Sequence, residues 1–267
     1  MPDILIGTQG FGYKDWVGAL YPPHTPHKNF LAFYSRVFDT VELDTTFYAA
    51  PRESAVENWR AQTPRTFQFT CKLPQVITHQ KHLLDAQLEL DDFVRRVEPL
   101  GDRLGPILIQ MPPQFQYPEI DKLKLFLSLL PEGYRFAVEF RHRSWVRADV
   151  YDLLRAHNVA WVMLDLSYMP KVFQVTADFV YIRWLGQRQA FDRHDRIQAD
   201  RGDDLEQWAR VVQHLPPEVQ AVYGYFNDDY AGFAPGSALM LKQKLGQRAV
   251  EPQSLWPDED TRQEKLL

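Results

Sequence analysis

Two glutamates, Glu42 and Glu139, each sit inside an otherwise apolar run, where an unpaired carboxylate would be costly to bury. Three cations, Lys72, Arg141 and Arg183, recur at the same relative place in this and other apolar runs. Acids beside cations in one polar pocket could both move protons and hold an anion. In that chemistry Glu42 or Glu139 is the proton acceptor, and Lys72 is the proton donor or an electrophile, its pKa lowered by burial. Arg141 and Arg183 would grip a carboxylate or phosphate through paired N–H forks. Trp16, Tyr48 and Trp145 are candidates to wall a sugar or base ring. Asp44, Gln110, Asp165 and Asn227 are candidates for further polar contacts. Glu42 and Glu139 would also suit the carboxylate pair of a glycosidase, their separation deciding the matter. A Schiff base on Lys72 is a further chemistry that no motif singles out. No histidine stands at the end of an apolar run, which argues against a multi-histidine zinc site. The four carboxylates Glu42, Asp44, Glu139 and Asp165 would suit one hard divalent cation. The residues name no cofactor beyond that. Against each of these readings stands a plainer one: a charged residue at a strand end usually marks the chain meeting water, and a structural ion-pair network could fill the pocket.

The elements that must position these residues are legible from patterning. Apolar runs occur at Ile4–Gly7, Thr40–Asp44, Phe67–Lys72, Pro106–Met111, Arg135–Phe140, Val159–Asp165, Phe179–Leu185 and Val219–Phe226. All eight have strand length, and several are apolar at consecutive positions, as strands covered on both faces are. Between them, Lys28–Phe38, Ser54–Arg60, Leu88–Val97, Ile120–Leu130, Ala148–His157, Leu205–Leu215 and Ser237–Leu245 read as amphipathic helices. Alternating strands and helices predict a parallel sheet, and eight is the number that closes a (β/α)8 barrel. The sixth unit breaks the rhythm, because Ser167–Phe173 shows no helical pattern, so an irregular crossover is expected there. An open doubly wound sheet is the alternative, but Gly7–Gly12 has the wrong spacing for a dinucleotide fingerprint. In a barrel the C-terminal strand ends converge on one mouth. Seven of the eight runs deliver a polar side chain to that level: Glu42, Lys72, Gln110, Glu139, Asp165, Arg183 and Asn227. Alternation puts Glu42 with Asp44, Glu139 with Arg141, and Tyr181 with Arg183 on common faces.

Composition narrows the function classes. The chain has 267 residues and a formal net charge of −5, which disfavours a generally basic nucleic-acid binder. The single cysteine, Cys71, excludes a disulfide framework and multi-cysteine metal sites. No apolar run approaches the roughly 20 residues of a membrane helix, and the N-terminus lacks a basic n-region, so a cytoplasmic protein without a signal peptide is expected. The expected organisation is one barrel domain over 1–246 and a polar, partly disordered extension over 247–267. The loop Gly186–Gly202 carries Arg188, Arg193, His194, Arg196 and Arg201 among acids. It reads first as a solvated charged loop and second as a lid or phosphate grip.

Ordered motifs run through the chain. They are Gly10-Phe11-Gly12-Tyr13-Lys14-Asp15-Trp16, Phe38–Tyr48, Phe67–Lys72, Gln110-Met111-Pro112-Pro113, Val138–Trp145, Tyr181–Gly186 and Tyr225-Phe226-Asn227-Asp228. Together, over about residues 4 to 245, the sequence resembles the YecE-like family, domain of unknown function 72. The resemblance implies a TIM barrel in a bacterial or archaeal protein, likened to the endonuclease IV and xylose isomerase barrels, and no particular reaction. It covers Trp16, Glu42, Phe47, Tyr48, Lys72, His79, Gln110, Pro112, Glu139, Arg141, Trp145, Asp165, Arg183, Gly186 and Asn227. The sequence departs at Asp44, where the family usually has Asn, and at Asp228, where a second Asn is common. Both changes add negative charge to the mouth. The leading expectation is an enzyme that hydrolyses or isomerises a small polar anion, such as a sugar phosphate or nucleotide fragment. A nucleic-acid-binding or endonuclease IV-like processing barrel is the second reading, and a non-catalytic ligand-binding barrel the third.

Overall fold

The computed structural model describes residues 2–257. Eight parallel strands close on themselves in chain order: β1 Asp3–Gln9, β2 Thr40–Leu43, β3 Gln68–Lys72, β4 Leu104–Gln110, β5 Phe136–Glu139, β6 Ala160–Leu166, β7 Phe179–Gly186 and β8 Ala221–Phe226. Seven α-helices are present among the described residues: α1 Phe30–Val37, α2 Glu53–Gln62, α3 Gln87–Val97, α4 Ile120–Ser128, α5 Ala148–Ala156, α6 Gly202–Gln213 and α7 Ala234–Lys244. Each follows one strand except β6. The chain is a (β/α)8 TIM barrel whose sixth crossover carries no helix, as the patterning predicts. There the chain instead laces back onto β6, with the Thr176 hydroxyl donating to Val159 O and accepting from Trp161 N, both at 2.7 Å. Phe173 and Trp208 of α6 meet at 5.1 Å over this stretch.

Strand alternation divides the apolar residues into two cores. On β4, Ile107 and Ile109 face the helices while Leu108 faces the lumen. The lumen also holds Ala137, Val162, Leu164, Tyr181, Tyr223 and Tyr225. Each large apolar side chain sealed in either layer contributes about 1.5–3 kcal/mol. The Tyr225 hydroxyl bonds the hydroxyls of Thr40 and Thr70 at 2.8 Å each, tying three strands across the lumen just beneath the mouth. Cys71 points the other way, into the helix-facing core, where burial pushes its thiol pKa up to about 12.

Part of the expected extension is anchored. Gln247 donates to Ile4 O at 2.7 Å, Gln253 to Ala19 O at 2.9 Å, and the Trp256 indole to Leu20 O at 3.3 Å. The remainder, 258–267, lies outside the described residues. Among the described residues no helix is long and apolar enough to cross a membrane.

Candidate active site at the barrel mouth

Arg183 organises the mouth. It points inward from β7, is 2% exposed, and its two terminal nitrogens reach separate carboxylates. Nη2 donates to Glu42 Oε1 and Nη1 to Glu139 Oε2, each at 2.6 Å. Tyr181, two residues earlier on the same face, donates its hydroxyl to Glu42 Oε2 at 2.6 Å. Arg141 donates Nε to Glu139 Oε1 and Nη1 to the Tyr168 hydroxyl at 3.3 Å. The side chains thus form a chain in the order Tyr181, Glu42, Arg183, Glu139 and Arg141.

The two glutamates are equally buried yet displaced in opposite directions. Burial raises Glu42, Arg183 only partly offsets it, and Asp44 adds to the rise, which takes the carboxyl to about 7. Burial also acts upward on Glu139, but Arg141 and Arg183 outweigh it and hold the carboxyl at about 2. Both are 0% exposed and neither lines the open cavity above them, because Arg183 covers them. This corrects the expectation that they meet substrate directly.

The cavity above has a volume of about 320 Å³. Its floor and walls include Arg183, Lys72, Asp44, Arg141, Gln9, Asn227, Phe47, Tyr48, Leu166 and Leu185. Lys72 is held by the loop after β2. The Thr46 hydroxyl lies 2.7 Å from Lys72 O and 2.9 Å from Leu43 O, its one proton serving either carbonyl, and accepts from Lys72 N at 2.9 Å. That clamp sets the Phe47 ring 4.0 Å from the Lys72 ammonium. Lys72 has no carboxylate within salt-bridge distance among the described residues. Burial and then Arg183 lower its pKa. On the far side, Asn227 donates Nδ2 to Gln9 Oε1 at 3.1 Å and accepts from Asp229 N at 2.9 Å. Gly186 has φ +66°, and a Cβ there would stand 2.2 Å from Asp229 O, so the close approach of β7 to the turn after β8 requires glycine.

Several predicted residues lie elsewhere. Trp16 is fully buried behind the mouth, its indole donating to Asp228 Oδ1 at 3.2 Å. Trp145 stacks between Phe140 and Phe115 at centroid distances of 4.5 and 5.0 Å and donates to Phe115 O, outside the barrel wall. Neither walls the cavity; of the three predicted aromatics only Tyr48 does, from the rim. Asp165 faces the helices, accepting from Trp208 Nε1 at 2.8 Å and lying 2.9 Å from Lys171. Its neighbours Leu164 and Leu166 take the lumen side, so parity sends it outward. The four carboxylates expected to share a cation therefore do not converge: Asp165 is outside, and the Arg183 guanidinium lies between Glu42 and Glu139. Among the described residues no group of three or more His, Cys, Asp or Glu is placed to hold a metal. Gln110 is buried and donates to Met111 O at 2.7 Å without lining the cavity. His79 packs on Phe47 at 4.9 Å, and burial and then Lys72 lower its pKa to about 4. Of the loop arginines only Arg188 reaches the cavity, while Arg193 and Arg196 pair with Asp195. Sequence reasoning missed Gln9, Leu185, Leu166 and Asp229. Gln9 was within its reach, since it shares parity with Leu5, which packs on the lumen core.

A family model described as a protein of unknown function, DUF72, matches residues 5–262. UPF0759 protein YecE of Escherichia coli K12 is 38% identical over 139 residues, or 52% of this chain and 48% of that protein. The chain thus spans about half the length of that curated relative in the match. UPF0759 protein YunF of Bacillus subtilis 168 is 28% identical over 269 residues, covering 91% of this chain and 94% of that one. Among solved structures, a DUF72 family protein from Thermotoga maritima has a TM-score of 0.80 at 32% identity, covering 92% of this chain and all of that one, 100%. A DUF72 family protein from Enterococcus faecalis V583 has a TM-score of 0.76 at 19% identity over 96% and 99% of the two chains, a likeness of fold alone.

Proposed function

This chain belongs to the DUF72 family, and from that premise we propose that it is an enzyme acting by proton transfer on a small polar anion, by hydrolysis or isomerisation. The observation that carries the reading is Lys72: a mostly buried ammonium without a carboxylate partner among the described residues, lining a cavity beside Arg183 and Arg141. An uncompensated cation in such a place attracts an anion. Its lowered pKa brings it nearer the range in which an amine can both accept and return a proton. Arg183 has both terminal nitrogens committed to the glutamates, so it contributes a fixed positive floor rather than a fork for substrate. Arg141 keeps Nη2 for the ligand. Glu42 and Glu139 act through Arg183 and Arg141 as positioning residues, holding those two cations in place and balancing their charge. A cavity of about 320 Å³ lies at the low end of ligand sites and suits one small molecule. That favours a sugar phosphate or similar metabolite over a nucleic-acid strand.

The test is a turnover screen of phosphorylated and carboxylated metabolites with the wild type, Lys72→Met and Lys72→Arg, read by mass spectrometry. A wild-type product that both variants form about 100-fold more slowly supports proton transfer by Lys72. Undiminished turnover in Lys72→Met would overturn it. Tight binding by the wild type without any product favours a non-catalytic receptor instead.

A further inference from the structure

The cavity has two unlike arcs. β3 and β5 present the cations Lys72 and Arg141, while β8, β1 and β2 present Asn227, Gln9 and Asp44. Arg188, on the exposed loop after β7, belongs to neither.

The orientation of the amides on the second arc can be fixed by elimination. The Asp229 backbone nitrogen can only donate, so the Asn227 atom it meets at 2.9 Å is the carbonyl oxygen. Asn227 therefore turns its NH2 toward Gln9 and donates to Gln9 Oε1. That leaves Gln9 Nε2 as a donor, and it has no partner although Gln9 is only 3% exposed. On the adjacent strand end, Asp44 Oδ1 is an acceptor without a hydrogen-bond donor. The nearest cation, Arg183 Nη2, stands 3.7 Å away and is already bonded to Glu42. Gln9 pairs in register with Glu42, two residues before Asp44, so the two orphaned atoms belong to neighbouring strand ends, and both residues line the same cavity. An unpartnered donor and an unpartnered acceptor on adjoining strand ends of one cavity match ligand hydroxyl groups, which can both accept and donate.

We propose that Gln9 and Asp44 form a hydroxyl-binding subsite facing the anion-binding arc, so that the ligand is a polyhydroxylated anion of monosaccharide size. This rests on the mouth being the anion site, and it adds which part of the ligand is read and by what. The carboxamide and carboxylate select hydroxyls, and the lysine and arginine select a carboxylate or a phosphate.

The experiment measures binding of four probes to the full chain by ligand-observed NMR: inorganic phosphate, glucose, gluconate and glucose 6-phosphate. At least one of the two hydroxylated anions is expected to bind tenfold or more tighter than both phosphate and glucose, and which of them does so tells carboxylate from phosphate. Gln9→Leu is expected to abolish that tenfold gain over phosphate, whereas Lys72→Met weakens every anion. Gln9→Glu serves as a second variant of unchanged size: it keeps the acceptor for Asn227 but replaces the free donor with an acceptor, and the gain is again lost. Hydroxylated anions binding no tighter than phosphate would overturn the hydroxyl subsite and leave the anion site standing. Absence of binding by any anion would overturn both.

Discussion

Glu42 and Glu139 share a residue type, full burial and the same guanidinium, yet the two sides of the mouth treat them oppositely. On the β2 side the neighbours are Asp44 and Tyr181, and the carboxyl rises to about 7. On the β5 side the neighbours are Arg141 and Lys72, and it falls to about 2. Desolvation is common to both, so the second neighbour decides the sign. The mouth is thereby polarised: a permanent anion on the cation-rich side, and on the other side a carboxyl that changes charge near neutrality. Two carboxyls pushed apart in this way hold different charges at one pH beneath the same cavity.

The most severe way to break the contrast is to remove what both sides share. Arg183→Met takes from two buried carboxyls the guanidinium they share, leaving Glu139 only Arg141 and Glu42 only the Tyr181 hydroxyl, and is expected to cost about 3–5 kcal/mol in urea unfolding at pH 7. A loss below about 1 kcal/mol would mean that the guanidinium is not the common clamp. Next comes the asymmetric pair. Glu139→Gln removes a permanent charge that two arginines need and should cost about 3 kcal/mol, while Glu42→Gln, replacing a carboxyl already half neutral at pH 7, should cost less than about 1. Equal losses would contradict the polarity. Third is pH. Glu42 has a folded pKa above its unfolded value, so its contribution is complete below pH 4.5 and is lost as pH rises through 7. The wild type should therefore lose about 2 kcal/mol more than Glu42→Gln between pH 5 and 7. Glu139 works the other way, its contribution present above pH 4.5 and lost as pH falls toward 2. Parallel stability curves for wild type and Glu42→Gln from pH 5 to 7 would refute the raised pKa. The smallest effect expected is that of Tyr181→Phe, about 1 kcal/mol, with Glu42 rising further because the lost hydroxyl favours its charged form. Carboxyl NMR of the variant would register that rise.

Much of this arrangement was legible in the sequence. The eight apolar runs became the eight strands within a few residues, and the missing sixth helix showed as a stretch without helical period. Buried strands of a parallel sheet leave that signal because both faces must be apolar. Glu42, Glu139 and Arg183 stood out because charges inside such runs need partners. Parity alone, applied to β6 as it was to β2, would have turned Asp165 outward. Trp16 and Trp145 could not be placed this way, since both lie in short turns beyond the strand ends, where strand alternation no longer holds. That the glutamates lie beneath the cavity rather than in it was likewise hidden, because it depends on Arg183 reaching across the lumen from β7 to β2 and β5.

The position of Cys71 has a practical consequence. It is the single thiol of the chain, sealed on β3 immediately before Lys72, with its pKa held at about 12. A disulfide reagent reacts only when a thiolate can reach and attack its sulfur, expelling the other half as a thiolate. Labelling must therefore wait until the wall between barrel and helices parts, and its rate acts as a built-in clock for how often this wall opens. A ligand that bridges the two arcs of the mouth would slow that clock from the opposite face of the same strand.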